Sequence, residues 1–258
     1  MREDSLSPAA ITHNLETRFI GQRVIYYPKL KSTMDEAKRQ AQQGAREGTV
    51  IVAGEQTAGR GRMKRAWLSP RGSIALSIIL YPEVSYLSSL IMVASLGVVH
   101  CIEEVTGLKP QIKWPNDVLI NAKKVCGILI ESEVKGNRAD YATLGIGINV
   151  NLKPSDFPEI PPTATSLSHE LGREVSQLEM IRCLLAEIER LYLALPSEAV
   201  YQEWRDNLAT LGKKVQVRSE ETTYEGIAES VASDGSLLLR QPDGSLTKIV
   251  AGDVTLLN

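Results

Sequence analysis

The chain of 258 residues is poor in the residues that build metal centres and crosslinks. It has three cysteines and three histidines. Cys101, Cys126 and Cys183 stand far apart with no C-x-x-C pair, so the chain carries neither a disulfide framework nor a zinc motif. His13, His100 and His169 are equally scattered, which argues against a histidine metal site or a Ser–His triad. No G-x-x-x-x-G-K-[ST] pattern occurs, so the chain has no P-loop. Gly145-Ile146-Gly147-Ile148-Asn149 lacks the third glycine of a dinucleotide fingerprint and closes a strand instead of opening a helix. The longest apolar run, Leu90–Val99, is too short and interrupted to cross a bilayer. Met1–Ala10 is polar and shows no signal peptide. A cytoplasmic protein with no membrane partner is expected. The net charge of −2 gives no broad positive face, so no nucleic-acid partner is expected either.

What is present is concentrated in one stretch, Gly54–Trp67. Between Gly59 and Arg65 it sets Arg60, Arg62, Lys64 and Arg65 beside two glycines. Glycine lets backbone approach a ligand closely, and the arginine fork binds phosphate or carboxylate bidentately. Four like charges so close repel one another, so the loop is expected to be mobile until an anion arrives. Taken alone, the stretch reads equally well as a solvated basic loop or a nucleic-acid contact.

Arg23–Tyr27 reads as a strand after a short helix near Pro8–Glu16. Thr33-x-x-Glu36 matches a capping box ahead of a helix over Met34–Gln43, so Ser32 and Thr33 are open to a capping role, a ligand role, or both. Strands at Thr49–Ala53 and Ser73–Leu80 bracket the cationic loop, the right mounting for a lid. Ser88–Val105 reads as a buried helix. Ile112 and Val118 are strand ends around Lys113-Trp114-Pro115-Asn116-Asp117, and a lysine, an amide and a carboxylate about a Trp-Pro turn favour function over a plain bend. A hairpin at Val118–Ile120 and Lys124–Glu133, a polar turn at Val134–Asp140 and a strand at Tyr141–Asn149 imply an antiparallel sheet. A Pro-rich connector at Asn151–Thr165 precedes helices at Thr165–Leu171, Ser176–Leu195 and Ser197–Ala209, with Trp204 facing inward. Beyond Leu211, short strands at Lys213–Arg218, Thr223–Val231, Ser236–Arg240 and Thr247–Val250 predict a small β-barrel that must lean on the larger unit.

Taken in order, Lys31–Met34, Gln56–Arg62, Lys113–Asp117, Lys123–Glu131 and Gly145–Asn149 resemble the biotin protein ligases. The resemblance covers nearly the whole chain, and the succession G-R-G-R, K-W-P-N-D, G-I-G-I-N is highly specific. It implies an α+β fold: a mixed, largely antiparallel sheet with helices, similar to class II synthetases, over 1–209, and an SH3-like barrel over 210–258. It implies an ATP-dependent ligase that makes biotinyl-5′-adenylate and passes biotin to a lysine of the biotin carboxyl carrier domain of acetyl-CoA carboxylase. Mg²⁺ would travel with the ATP, and the sequence shows no dedicated metal cage. The resemblance also allows a homodimer through a sheet edge. It implies no repressor role, since the helix-turn-helix domain of some members has no room here.

Residue by residue, Lys113, Arg60 and Arg62 match the catalytic positions. Ser32, Thr33, Met34, Gln56, Arg60, Gly61, Arg62 and Lys124 match biotin contacts. Arg60, Arg62, Trp67, Lys113, Asn116 and Asn149 match the adenylate side. Asp117 stays open between orienting the acceptor lysine and serving as a turn carboxylate. Met34 stands where many members have Asn, and Met63-Lys64-Arg65 replaces the more usual Arg-Gly-Arg. A lipoate ligase is the nearest enzymatic alternative, and a non-catalytic adenylate-binding regulator is the alternative from another class.

Overall fold

The computed structural model describes residues 6–136, 138–219 and 221–257. Helix α1 (Pro8–Thr12) starts on the Ser7 side chain, which accepts the Ala10 N–H. Seven strands then build one sheet: β1 (Val24–Tyr27), β2 (Val50–Ala53), β3 (Ser73–Leu80), β4 (Gln111–Lys113), β5 (Asp117–Ile120), β6 (Lys123–Lys135) and β7 (Arg138–Asn149). Their spatial order is β1-β2-β3-β7-β6-β5-β4; β1 and β2 run parallel and every other pair is antiparallel. Helices α2 (Thr33–Gln42) and α3 (Leu90–Thr106) lie between these strands, and α4 (Leu167–Leu171), α5 (Gln177–Leu193) and α6 (Glu198–Asp206) follow β7. A second, five-stranded antiparallel sheet follows from β8 (Lys214–Ser219), β9 (Thr222–Val231), β10 (Leu237–Arg240), β11 (Leu246–Ile249) and β12 (Asp253–Leu256), in the order β11-β10-β9-β8-β12. The fold is the expected α+β one.

Strand alternation decides what each face of the first sheet meets. In β7 the isoleucines 146 and 148 are buried in the main core with Ile112, Val118, Cys126 and Ile128. Against that face packs α3, and α5 packs on α3. Burying such a continuous apolar surface is the main stabilising term, at about 25 cal/mol per Å². The opposite face holds the small residues. One rung crosses all seven strands as Tyr27, Ala53, Ala75, Gly147, Gly127, Asp117 and Lys113. Helix α2 covers only part of this face, over Ile51, Ile79 and Tyr141. A shallow trough remains beside it.

Several boundaries depart from the sequence-based expectation, each for a local reason. The cap of α2 is Ser32, whose hydroxyl accepts the Asp35 N–H, and not Thr33. Thr33 is drawn elsewhere, as described below. Val134–Asp140 is not a polar turn: the β6–β7 ladder runs on to the Lys135–Arg138 pair, because main-chain pairing tolerates polar side chains. The expected helix to Glu16 stops at Thr12. Beyond it, the main-chain N–H groups of Arg18, Phe19 and Ile20 turn to the buried Glu189 carboxylate at 2.5, 2.9 and 2.8 Å. Strand β12 was not expected at all; it completes the second sheet beside β8. Helix α3, with the turn before it, makes a 23-residue apolar stretch, Val84–Thr106, long enough to cross a membrane. Here it serves as core, and most of its side chains are buried against the sheet and α5.

Candidate active site

The trough is closed from above by the cationic loop. Between β2 and β3 the chain makes a small hairpin: Trp67 N–H donates to Gly59 O and Gly61 N–H donates to Arg65 O, both at 2.8 Å. A side chain at Gly59 would strike the Trp67 carbonyl at 2.3 Å, so this hairpin requires glycine. The tip is tight, with Met63 at φ 52° and Lys64 at φ 59°. The hairpin lowers the Trp67 indole onto the glycines of the trough. A Cβ on Gly147 would lie 2.3 Å from the indole nitrogen, and one on Gly127 would lie 2.9 Å from its ring. Only strands with no side chain at these two positions admit the indole.

Beneath the loop lies a cavity of about 50 Å³, bordered by Thr33, Met34, Gln56, Arg60, Gly61, Trp67 and Lys124. These seven expected site residues therefore do converge. Gln56 bridges the loop to the start of α2: its amide oxygen accepts the Thr33 N–H at 2.8 Å and the Thr33 hydroxyl at 3.1 Å. Ser77 donates in turn to the Thr33 hydroxyl at 2.9 Å. Because a backbone N–H can only donate, the oxygen of Gln56 faces Thr33, and its NH₂ remains a donor. Met34 packs its sulfur where a Cβ on Gly145 would come to 2.5 Å. Ser32 is buried and spent on its cap.

The cations divide by partner. Arg60 donates from both fork nitrogens to Glu131, at 2.8 and 2.9 Å, and also pairs with Asp35 at 2.9 Å. These carboxylates, Glu131 foremost, raise its pKa above the ordinary guanidinium value. Among the described residues the Arg62 side chain makes one hydrogen bond, to the Asn116 amide oxygen at 2.8 Å. Burial lowers its pKa, against the pull of Asp253 and Asp117. Arg65 pairs with Asp253 of β12. The repulsion expected within the loop is thus offset by counter-charges from α2, β6 and the second sheet. Lys124 sits 2.6 Å from Asp117 and 5.3 Å from the centre of the Trp67 ring.

The K-W-P-N-D stretch is the β4–β5 turn. Lys113 and Asp117 face each other across it and project to the trough side of the sheet. Among the described residues Lys113 has no carboxylate within 4.0 Å, although it does not border the cavity. Asn116 ties the turn to β6 through its NH₂ and the Ile128 carbonyl at 2.8 Å. Trp114 is a core residue; its indole N–H donates to the carbonyl of Gly235, in the β9–β10 turn of the second sheet, at 2.9 Å. Asn149, buried, also stays outside the cavity, its NH₂ spent on the Thr165 carbonyl at 2.9 Å. Glu131 and Asp253 were not singled out in the sequence. Glu131 ends the quoted Lys123–Glu131 stretch, but nothing local tells that it faces the loop. Among the described residues no group of three His, Cys, Asp or Glu side chains is placed to hold a metal ion.

A mixed sheet whose glycine trough lies under an arginine loop, joined to a small all-β unit, makes a two-part chain with a cationic cover over a small-molecule cavity. The sequence matches the Biotin/lipoate A/B protein ligase family over residues 26–149 and the Biotin protein ligase C terminal domain over residues 210–257. It is 38% identical to the bifunctional ligase/repressor BirA of Bacillus subtilis over 97% of this chain and 79% of that protein. It is 31% identical to the biotin–[acetyl-CoA-carboxylase] ligase of Mycobacterium tuberculosis over 97% of each. The biotin protein ligase from Aquifex aeolicus in complex with biotin and ATP superposes with a TM-score of 0.75 at 29% identity, covering 92% of this chain and 99% of that one. This chain belongs to the biotin protein ligase family.

Proposed function

We propose that the chain activates biotin with ATP to biotinyl-5′-adenylate and transfers the biotinyl group to a lysine on the biotin carboxyl carrier domain of a carboxylase such as acetyl-CoA carboxylase. The observation that supports this reading most is the convergence of Thr33, Gln56, Arg60, Trp67 and Lys124 on one cavity over Gly127 and Gly147, with Lys113 on the same side and Arg62 on the neighbouring cavity beside Asn116.

The chemistry explains why cations gather there. In the first step a carboxylate oxygen attacks the α-phosphorus of ATP and pyrophosphate leaves, so two anions must approach. Lys113 and Arg62 offset that repulsion, and Lys124 takes the biotin carboxylate. The free NH₂ of Gln56 and the Thr33 hydroxyl meet the ureido group, with Met34 and Ser32 behind them. Trp67, Asn116 and Asn149 belong to the adenylate side. Arg60, with both forks on carboxylates, holds the root of the loop. In the second step the acceptor ε-amine attacks the acyl carbon and AMP leaves; Asp117, across from Lys113, orients that amine. Closing the loop keeps water from the anhydride. Mg²⁺ enters on the ATP phosphates. Residues 1–209 carry this chemistry and 210–258 form the second unit. A cytoplasmic setting fits three free cysteines. Repression is not part of the proposal, because a net charge of −2 counts against a nucleic-acid surface.

Pyrophosphate–ATP exchange by the purified protein, with biotin and lipoate supplied separately, tests the reading. Exchange with biotin alone is expected. Exchange with lipoate alone would move the substrate, and exchange with neither would make the chain a binding module.

A further inference from the structure

The second sheet reaches the cationic loop through the pairing of Asp253, the first residue of β12, with the Arg65 guanidinium. Arg65 belongs to the same tight turn as Arg62: its N–H donates to the Arg62 carbonyl at 3.1 Å, while its own carbonyl accepts Gly61 N–H. That turn is not one its sequence favours. Met63 and Lys64 both hold positive φ, a region that side-chain-bearing residues disfavour. Its apolar side chains do not fasten it either, since Met63 is half exposed. A strained turn persists where the surroundings over-determine it, and the surroundings of this tip are two polar contacts, Arg62 with Asn116 and Arg65 with Asp253.

The mounting of Asp253 is rigid. It pairs with Arg218 across the β12–β8 ladder, next to the buried Val254, and Gly252 before it approaches the Arg218 carbonyl too closely for a side chain. The second sheet is itself pinned to the catalytic turn by the Trp114–Gly235 hydrogen bond. A cavity of about 300 Å³ lies between Arg62, Trp114 and Asn116 on one side and Asp234, Gly235 and Val250 on the other. The loop tip and the second sheet therefore enclose a common space, and Asp253 carries the charge that ties one to the other. Asp253 is about one-quarter exposed, Arg65 about two-thirds. The carboxylate is thus sheltered enough to act as a fixed counter-ion.

We propose that Asp253 is a positioning residue for the ligase reaction: through Arg65 it holds the loop tip down, so that Arg62 stays over the reacting anions and the acyl-adenylate is retained until the acceptor lysine arrives. The inference rests on the reading of Arg62 as an anion clamp given under Proposed function.

The experiment uses the full chain as wild type, Asp253→Asn, Arg65→Gln and the double variant. Biotin-dependent pyrophosphate exchange is measured first in wild type; its absence would remove the functional reading and this inference with it. The rate of adenylate release, read as biotin label on a bystander protein, and the melting temperature are then measured for all four. Release about tenfold faster in either single variant is expected, with no further rise in the double variant and an unchanged melting temperature. A merely structural contact would lower the melting temperature without that shared, non-additive release. Wild-type retention in Arg65→Gln, whose side chain is exposed enough to be replaced without disturbing the core, overturns the proposal. So does a strictly additive double variant.

Discussion

Arg60 and Arg62 lie two residues apart and meet opposite surroundings. Redirecting Arg60 to a ligand would strip Glu131 and Asp35 of a shared cation, whereas Arg62 would give up one neutral acceptor. Charge-assisted pairs of the first kind are about twice as strong as a neutral hydrogen bond. Arg62 is therefore expected to be the arginine that turns to an anion at low cost, with Arg60 as the pin beside it. Lys113 is cheaper still, since among the described residues no carboxylate holds it. It is expected to act on charge that develops as phosphate and carboxylate approach, not on biotin at rest. Lys113→Ala should keep measurable biotin binding while adenylate formation falls by about 10²–10³-fold. Biotin titration beside single-turnover adenylation separates the two. Equal loss of both would make Lys113 a ground-state contact.

At the scale of elements, the site depends on a rung of small residues. Alanine for glycine in a strand is ordinarily neutral or stabilising by up to about 1 kcal/mol. At Gly147 the added methyl meets the indole of Trp67, which sits on a loop and can move away. Gly147→Ala should therefore keep its melting temperature, shift the Trp67 emission and weaken biotin binding about tenfold. Trp114 and Trp204 are buried in the core, so the shift reports on Trp67. Unchanged emission with unchanged affinity would mean that the indole does not rest on the trough in solution. The same rung shows how far the sequence could be read. The alternation Gly145-Ile146-Gly147-Ile148 states that one face of β7 is bare and the other apolar, and motif order brought seven of the expected residues to one cavity. Register was not legible: the meeting of Gly127, Asp117 and Lys113 on that rung depends on two hairpins and a bulge between Val118 and Leu119. Nor could the sequence show that Thr33 would leave its cap to Ser32 and take Gln56, because that choice is made by a residue 23 positions away.

The whole molecule has two sheets, and its larger apolar core runs through both of them. Val215, Val217, Leu237, Leu239 and Val254 of the second sheet belong to the same cluster as Trp114, Ile128, Ile148 and Trp204. About fifty residues of β-structure bury too little by themselves to be secure, so the second sheet draws stability from the first. In return it supplies Gly235 as acceptor for Trp114 and Asp253 for the loop. Two units sharing one core should unfold together. Urea unfolding followed by tryptophan emission and by far-ultraviolet circular dichroism should give coincident transitions, because Trp114 and Trp204 lie where the units meet while both sheets contribute to the dichroism. Trp114→Phe, which removes the N–H to Gly235 and leaves that carbonyl without its donor, should lower stability by about 1–2 kcal/mol without separating the two curves. An early phase confined to the second sheet would show instead that it folds on its own. The pairing of Asp253 with Arg65 would then be a contact between independent bodies, and loss of the second sheet would release the loop before the catalytic sheet unfolds.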